Sequence, residues 1–280
     1  MKLNTLVIIS IYFTMISCIS VRKAFIIEVR EQLQNQSISN DNLEAKDIQS
    51  LPECVQRYMN YIGCIDKPKI SNVQILFGRT KHIKEPNATP TDLRFCEQYN
   101  FSEIPYRNFY MNGKMKGLSF EGKENYIKGK GNMKIKLLNL FFVVNLKNKE
   151  IDQSALVTYL AECALIPSGF LNKNIVWQSI DKNTVKAIID DNNNSVSGIF
   201  YFNEIGELIK FVSDDRYYIT TENKLVKMQW IAEMGNYRLM SCGLKLSSYL
   251  KATWKLHEGD FLYFDGEIND INYNKTDIKN

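Results

Sequence analysis

The chain has 280 residues, of which 45% are hydrophobic and 12% aromatic, enough for a substantial packed core. Its 35 Lys and Arg against 31 Asp and Glu leave a net charge of +4, too balanced for a dedicated nucleic-acid binder. Only His82 and His257 are available to any histidine-based metal site or general base.

Leu3 to Val21 form a 19-residue uncharged, mostly apolar run, preceded by Lys2 and followed by Arg22 and Lys23. Such a run reads as a membrane anchor. A cleaved secretory signal is the rival reading. A third is a lipoprotein-type signal, because Met15-Ile16-Ser17-Cys18 resembles a bacterial lipobox that would lipidate Cys18. The domain organisation expected is an anchor or signal over 1–23, a helical linker over 24–50, and one β-rich domain over 51–275. The charge asymmetry across the run is too small to decide which side of the membrane the body occupies. The extracytoplasmic side of a bacterial membrane is the expected location.

Ala24 to Gln36 reads as a helix, with Phe25, Ile26, Val29 and Leu33 at three- and four-residue spacing. Ser37 to Ser50 is polar, a short helix or linker that Ser39 or Asn40 would cap. The next helix starts at Leu51-Pro52 and puts Val55, Tyr58, Met59 and Ile62 on one face, with Gly63 as its stop. From Ile70 the period changes to that of strands, running through VQILFGRTKHI, LRFCEQYNF and RNFYMNGKMKGLSF to ENYIKGKGNMKIKLLNLFFVVNL. One helix, Glu150 to Leu165, interrupts them. Its apolar face is Ala155, Leu156, Tyr159, Leu160 and Cys163, Asp152 or Ser154 is its expected cap, and Pro167 and Gly169 end it. Short strands with turns at DNNN, NEIGE, SDD, ENK, GN and HEGD fill the rest. The fold class expected is therefore α+β. A curved antiparallel, half-barrel-like meander carries one helix packed on it, with N-terminal helices and a membrane segment before it. The lack of a βαβ rhythm disfavours a Rossmann-type fold.

None of the six cysteines lies in a C-x-x-C pair, so zinc-ribbon and thioredoxin readings fail. Most read as small buried hydrophobes, and a Cys54–Cys64 disulfide is an option if the body is extracytoplasmic. There is no G-x-S-x-G, H-E-x-x-H, phosphate loop or dinucleotide fingerprint. No catalytic residue, metal site or cofactor is assigned. Glu162 stands out, a carboxylate inside the apolar run YLAECALI, with Arg216 as a candidate partner. It is either a structural ion pair or a polar anchor in an apolar pocket. Tyr159, Trp177 and Trp230 are the candidate pocket aromatics. The seven lysines between Lys114 and Lys136 either meet anionic headgroups or solvate the outer face of strands, as the alternation in MKIKL would.

The ordered series LPECVQRYMNYIG, GKMKGLSFEGKENYIKGKGNMKIKLL, ALVTYLAECALIPSGFL and FYFNEIGELIKFVSDDRYY resembles an uncharacterised bacterial family of the DUF6544 type, over about residues 51–273. Members of that family typically carry an N-terminal membrane segment. The resemblance brings no active site with it, and Cys54 stands here where proline is usual. The β-rich body with one inserted helix also resembles in architecture the open half-barrel of LolA/LolB/LppX-like lipoprotein carriers. The expectation is a membrane-tethered, non-catalytic protein that binds a lipid or acyl chain between sheet and helix. The rivals are an enzyme of unknown class, hydrolysis being one option, that uses His257 or a carboxylate pair, and an envelope interaction or scaffold protein.

Overall fold

A computed structural model describes residues 19–278. Thirteen strands form one antiparallel sheet among the described residues. They are β1 (Asn72–His82), β2 (Thr91–Phe101), β3 (Tyr106–Met115), β4 (Leu118–Ile127), β5 (Lys130–Leu137), β6 (Phe141–Leu146), β7 (Ile175–Ser179), β8 (Thr184–Asp191), β9 (Asn194–Phe202), β10 (Leu208–Ile219), β11 (Leu225–Gly235), β12 (Tyr249–Leu256) and β13 (Gly259–Tyr273). The spatial order is β6-β5-β4-β3-β2-β1-β13-β12-β11-β10-β9-β8-β7. The first and last strands thus pair in the middle of the sheet, with Phe264 opposite His82 and Tyr273 opposite Val73. The two edges, β6 and β7, are neighbours in sequence.

Local turn chemistry sets this meander. The two-residue loops Lys116-Gly117, Lys128-Gly129 and Asn192-Asn193 have positive φ at both positions, the geometry of type I′ hairpins whose twist matches that of the strands. The sheet curls until its halves meet. The Tyr126 hydroxyl on β4 donates to Asp191 Oδ2 at 2.7 Å, and Asn194 Nδ2 donates to the Gly129 carbonyl at 2.9 Å.

Among the described residues three α-helices complete the fold: α1 (Val21–Asn35), α2 (Glu53–Ile62) and α3 (Lys149–Glu162). α3 carries the chain from edge β6 toward edge β7, across the concave face, and is buried on nearly every side. It lies so close to β5 that a Cβ on Gly131 would sit 2.3 Å from the Ile151 carbonyl oxygen. The Asp152 carboxylate there accepts the Gly131 N–H at 2.7 Å and pairs with Lys130 at 3.0 Å. Asp152 and Ser154 are therefore not the cap. Asn148 is, accepting from the Ile151 N–H at 3.0 Å. Past Glu162 the helix tightens into 3-10 turns at Cys163–Leu165 and Pro167–Leu171. α2 ends at Gly63, whose φ of 74° is the left-handed stop glycine permits.

The segment after α1 departs from expectation. It forms a two-residue bridge of Asn42–Leu43 with Lys67–Pro68 and a 3-10 turn at Ala45–Ile48 capped by Glu44, with no helix starting at Ser39 or Asn40. α1, within the stretch read as a linker, packs on the convex face. There Val21, Phe25, Ile26, Val29 and Leu33 join Tyr99, Phe101, Tyr106 and Tyr110 in a second core. Most of the uncharged run, including Cys18, lies outside the described residues. Among those described, no helix is long and apolar enough to cross a membrane. Cys54 and Cys64 are free thiols, both buried, so the disulfide option is overturned. Burial pushes the Cys64 thiol up to about 12, which makes it an inert hydrophobe.

Candidate functional site

A cavity of about 330 Å³ opens between α3 and the concave face of the sheet. The helix contributes a stripe at helical spacing: Ile151, Ser154, Ala155, Thr158 and Glu162. Of the apolar face expected from sequence, Ala155 lines the cavity, while Leu156, Tyr159, Leu160 and Cys163 pack into the core. β3 contributes Arg107, Phe109 and Met111, alternate residues on one face of the pleat. Trp230, Trp254, Phe261 and Phe264 line the opposite wall.

Most of the wall is apolar, and one charged chain runs through it. Glu162, 2% exposed, accepts from Arg107 Nε at 2.8 Å, Gln98 Nε2 at 2.6 Å and Asn100 Nδ2 at 3.0 Å. Glu124 lies 3.5 Å from both Arg107 Nη1 and Arg216 Nη2. The order Glu162, Arg107, Glu124, Arg216 thus alternates in sign. Arg216 Nη1 donates to the Tyr263 hydroxyl at 2.7 Å, which also accepts from Trp230 Nε1 at 3.1 Å. The same guanidinium lies over the Trp230 ring at 4.4 Å and the Trp254 ring at 5.3 Å.

Burial opposes the charge of Arg107, but the Glu162 and Glu124 carboxylates more than offset it and hold its pKa above the ordinary guanidinium value. His82, at the mouth, is shifted the other way. Burial lowers its pKa to about 4, against a weaker upward pull from Glu124, so the ring is neutral near pH 7. The buried Arg216 Nε has no hydrogen-bond partner, and Arg107 Nη1 has only its 3.5 Å ion-pair contact with Glu124. No group of three His, Cys, Asp or Glu side chains suited to a metal occurs among the described residues.

The residues singled out in the sequence divide. Glu162, Arg216 and Trp230 come together around the cavity. The partner of Glu162 is Arg107, and Arg216 joins it only through Glu124. Tyr159 does not line the cavity but is fully buried in the core, its hydroxyl donating to the Phe101 carbonyl at 2.9 Å. Trp177 packs against Phe170 and Phe200 near edge β7 and is not part of the cavity wall. His257 is exposed in the β12–β13 turn and does not line the cavity. Sequence reasoning missed Arg107, Glu124, Trp254 and Tyr263. A signal existed for Arg107, since it shares a pleat face with Phe109 and Met111, where a charge must be paired.

Residues 41–266 match a family of unknown function (DUF6544). The chain belongs to this family. Two solved structures resemble the DUF6544 chain at 10% sequence identity. One is an outer membrane lipoprotein-sorting protein domain from Vibrio parahaemolyticus, with a TM-score of 0.42 over 82% of this chain and 92% of that one. The other is a LolA superfamily protein from Nitrosomonas europaea, with a TM-score of 0.37 over 86% and 95%. At those scores the likeness is coarse, and the case for a ligand rests on the cavity itself. No curated protein matches the DUF6544 chain in sequence.

Proposed function

We propose that this protein is a membrane-tethered, non-catalytic binder of a hydrophobic ligand, a lipid or an acyl chain, held between the curved sheet and α3. The supporting observation is the cavity: about 330 Å³, with Phe77, Phe109, Met111, Trp230 and Phe264 in its wall and the Glu162–Arg107–Glu124–Arg216 chain of charges running through it. Ligand sites typically span a few hundred Å³ and combine apolar walls with a small number of placed polar groups. The buried Arg216 Nε–H, which has no hydrogen-bond partner, suits a ligand with an oxygen-bearing head, because an unsatisfied buried donor costs roughly 1–3 kcal/mol that a carbonyl, carboxylate or phosphate oxygen would recover. The uncharged N-terminal run, or a lipid on Cys18, would supply the tether, with the body on the extracytoplasmic side of a bacterial membrane.

The test is lipid mass spectrometry on the full-length chain purified from membranes, beside Ala252→Phe, which adds bulk to the cavity wall. A lipid that accompanies the wild type and is depleted from a variant of similar melting temperature supports the proposal. Absence of lipid from both, or equal amounts in both, overturns it.

A further inference from the structure

We infer that the strand ends around the β3–β4 and β5–β6 hairpins form a bilayer-docking edge that holds the cavity mouth against an anionic membrane surface. The inference rests on the tethered-binder reading and adds the orientation of the body on the membrane.

Strand register places the parts. Thr91 pairs with His82, Gly113 with Leu93, Leu118 with Met115, and Leu137 with Phe120. The 116–117 and 138–140 hairpins therefore sit at the same strand ends as the 83–90 loop. Ile83, Lys84 and Glu85 of that loop border the cavity. Val143 on β6 both lines the cavity and reaches solvent.

This edge is apolar where a soluble surface would be polar. Leu118, Leu138, Leu140, Phe141, Phe142 and Val143 are each between 45% and 64% exposed. Clustered exposure of large apolar side chains marks an interaction surface. Exposed Lys23, Arg94, Lys114 and Lys116 lie around it, a charge pattern complementary to anionic headgroups.

The path of the chain favours a bilayer over a protein partner. The Lys136 ammonium, above the Phe142 ring at 4.8 Å, donates to the Ile19 carbonyl at 3.5 Å. The Arg22 N–H donates to Glu121 at 3.0 Å, and Glu121 also accepts from Asn139 of the 138–140 hairpin at 3.0 Å. Val21 is already buried in the convex core. The uncharged run from Leu3 therefore joins the body beside the exposed Leu138–Val143 cluster. A run embedded in or bound to a bilayer would bring that cluster, and the cavity mouth with it, to the lipid surface.

The experiment reconstitutes the full-length chain in phosphatidylcholine vesicles, with and without phosphatidylglycerol, that carry a photoreactive lipid, and maps the adducts by mass spectrometry. Adducts at Leu118 and Leu138–Val143, severalfold more abundant with phosphatidylglycerol, are expected. Ile104 and Ile205, equally exposed but on hairpins at the opposite strand ends, should stay unmodified. Adducts spread evenly over both ends, or concentrated at Ile104 and Ile205, overturn the docking edge. A Leu140→Asp/Phe141→Asp variant changes only exposed side chains and should fold normally while losing the edge adducts. If it keeps them, the assignment fails. Adducts on Met133, Trp230 or Phe264 report cavity occupancy separately, so a failed ligand reading and a failed docking edge give different maps.

Discussion

Strands β2 to β4 bury charge on both of their faces, and the two faces end differently. On the convex side, Glu28 of α1 pairs with Lys123 and accepts from Asn108 at 2.9 Å and Asn125 at 3.0 Å, while Arg22 meets Glu97 at 2.5 Å. Phe25, Tyr99 and Tyr110 fill the space around these pairs. On the concave side, Glu162, Arg107, Glu124 and Arg216 make a comparable alternation, but α3 stands off from the sheet and leaves open volume beside them. Buried ion pairs alone do not mark a site, because they also serve to dock a helix. Empty volume beside a buried guanidinium N–H without a partner, Arg216 Nε, distinguishes the concave cluster.

The comparison can be broken most forcefully at Glu162. Glu162→Gln leaves Arg107 buried without its closest counter-charge, which costs about 3–5 kcal/mol and should lower the melting temperature by roughly 10 °C. If stability is unchanged and lipid content falls, the carboxylate serves the ligand and not the fold. Gly131→Ala drives a Cβ into the α3 backbone. It should cost about 2 kcal/mol by overpacking, read as a lower urea midpoint, because the gap between helix and sheet is set there.

His82 supplies a pH test of the cavity mouth. Its folded pKa of about 4 lies below the ordinary histidine value of 6.5, so between those values the unfolded chain takes up a proton that the folded chain refuses. The contribution is complete above pH 6.5 and is lost as pH falls toward 4, on the order of 2 kcal/mol. His82→Phe should therefore lose less stability than wild type between pH 7 and pH 4.5 in urea titrations, and an identical loss would show that the mouth leaves the ring solvated. The smallest effect is expected on the convex side. Burial already lowers the pKa of Lys123, against the raising influence of Glu28. Lys123→Met should stay within about 1 kcal/mol of wild type, since the Glu28 carboxylate is 31% exposed to solvent and keeps both asparagine donors. A loss above about 3 kcal/mol in the same titration would erase the contrast between the two faces.

Much of this architecture was legible in local pattern. Period-two alternation, the Lys-Gly and Asn-Asn turns and the apolar periodicity of α1, α2 and α3 specify which segments are strand, turn and helix, because those signals act within a few residues. Glu162 was conspicuous for a similar reason: a carboxylate amid YLAECALI needs an explanation wherever it lies. What covers each face was not legible. Tyr159 and Trp177 are as apolar and aromatic as Trp230, yet only the rotation of α3 and the curl of the sheet decide that Trp230 borders open space and the other two fill core. The partner of Glu162 was also a tertiary matter, since Arg107 and Arg216 are equally plausible in sequence and the choice depends on which strand passes beneath the last turn of the helix. The sequence by itself determined the elements and their hairpin order. The pairing of β1 with β13, the return of α3 across the concave face and the cavity between them were decided only in three dimensions, because they depend on contacts between residues far apart in the chain.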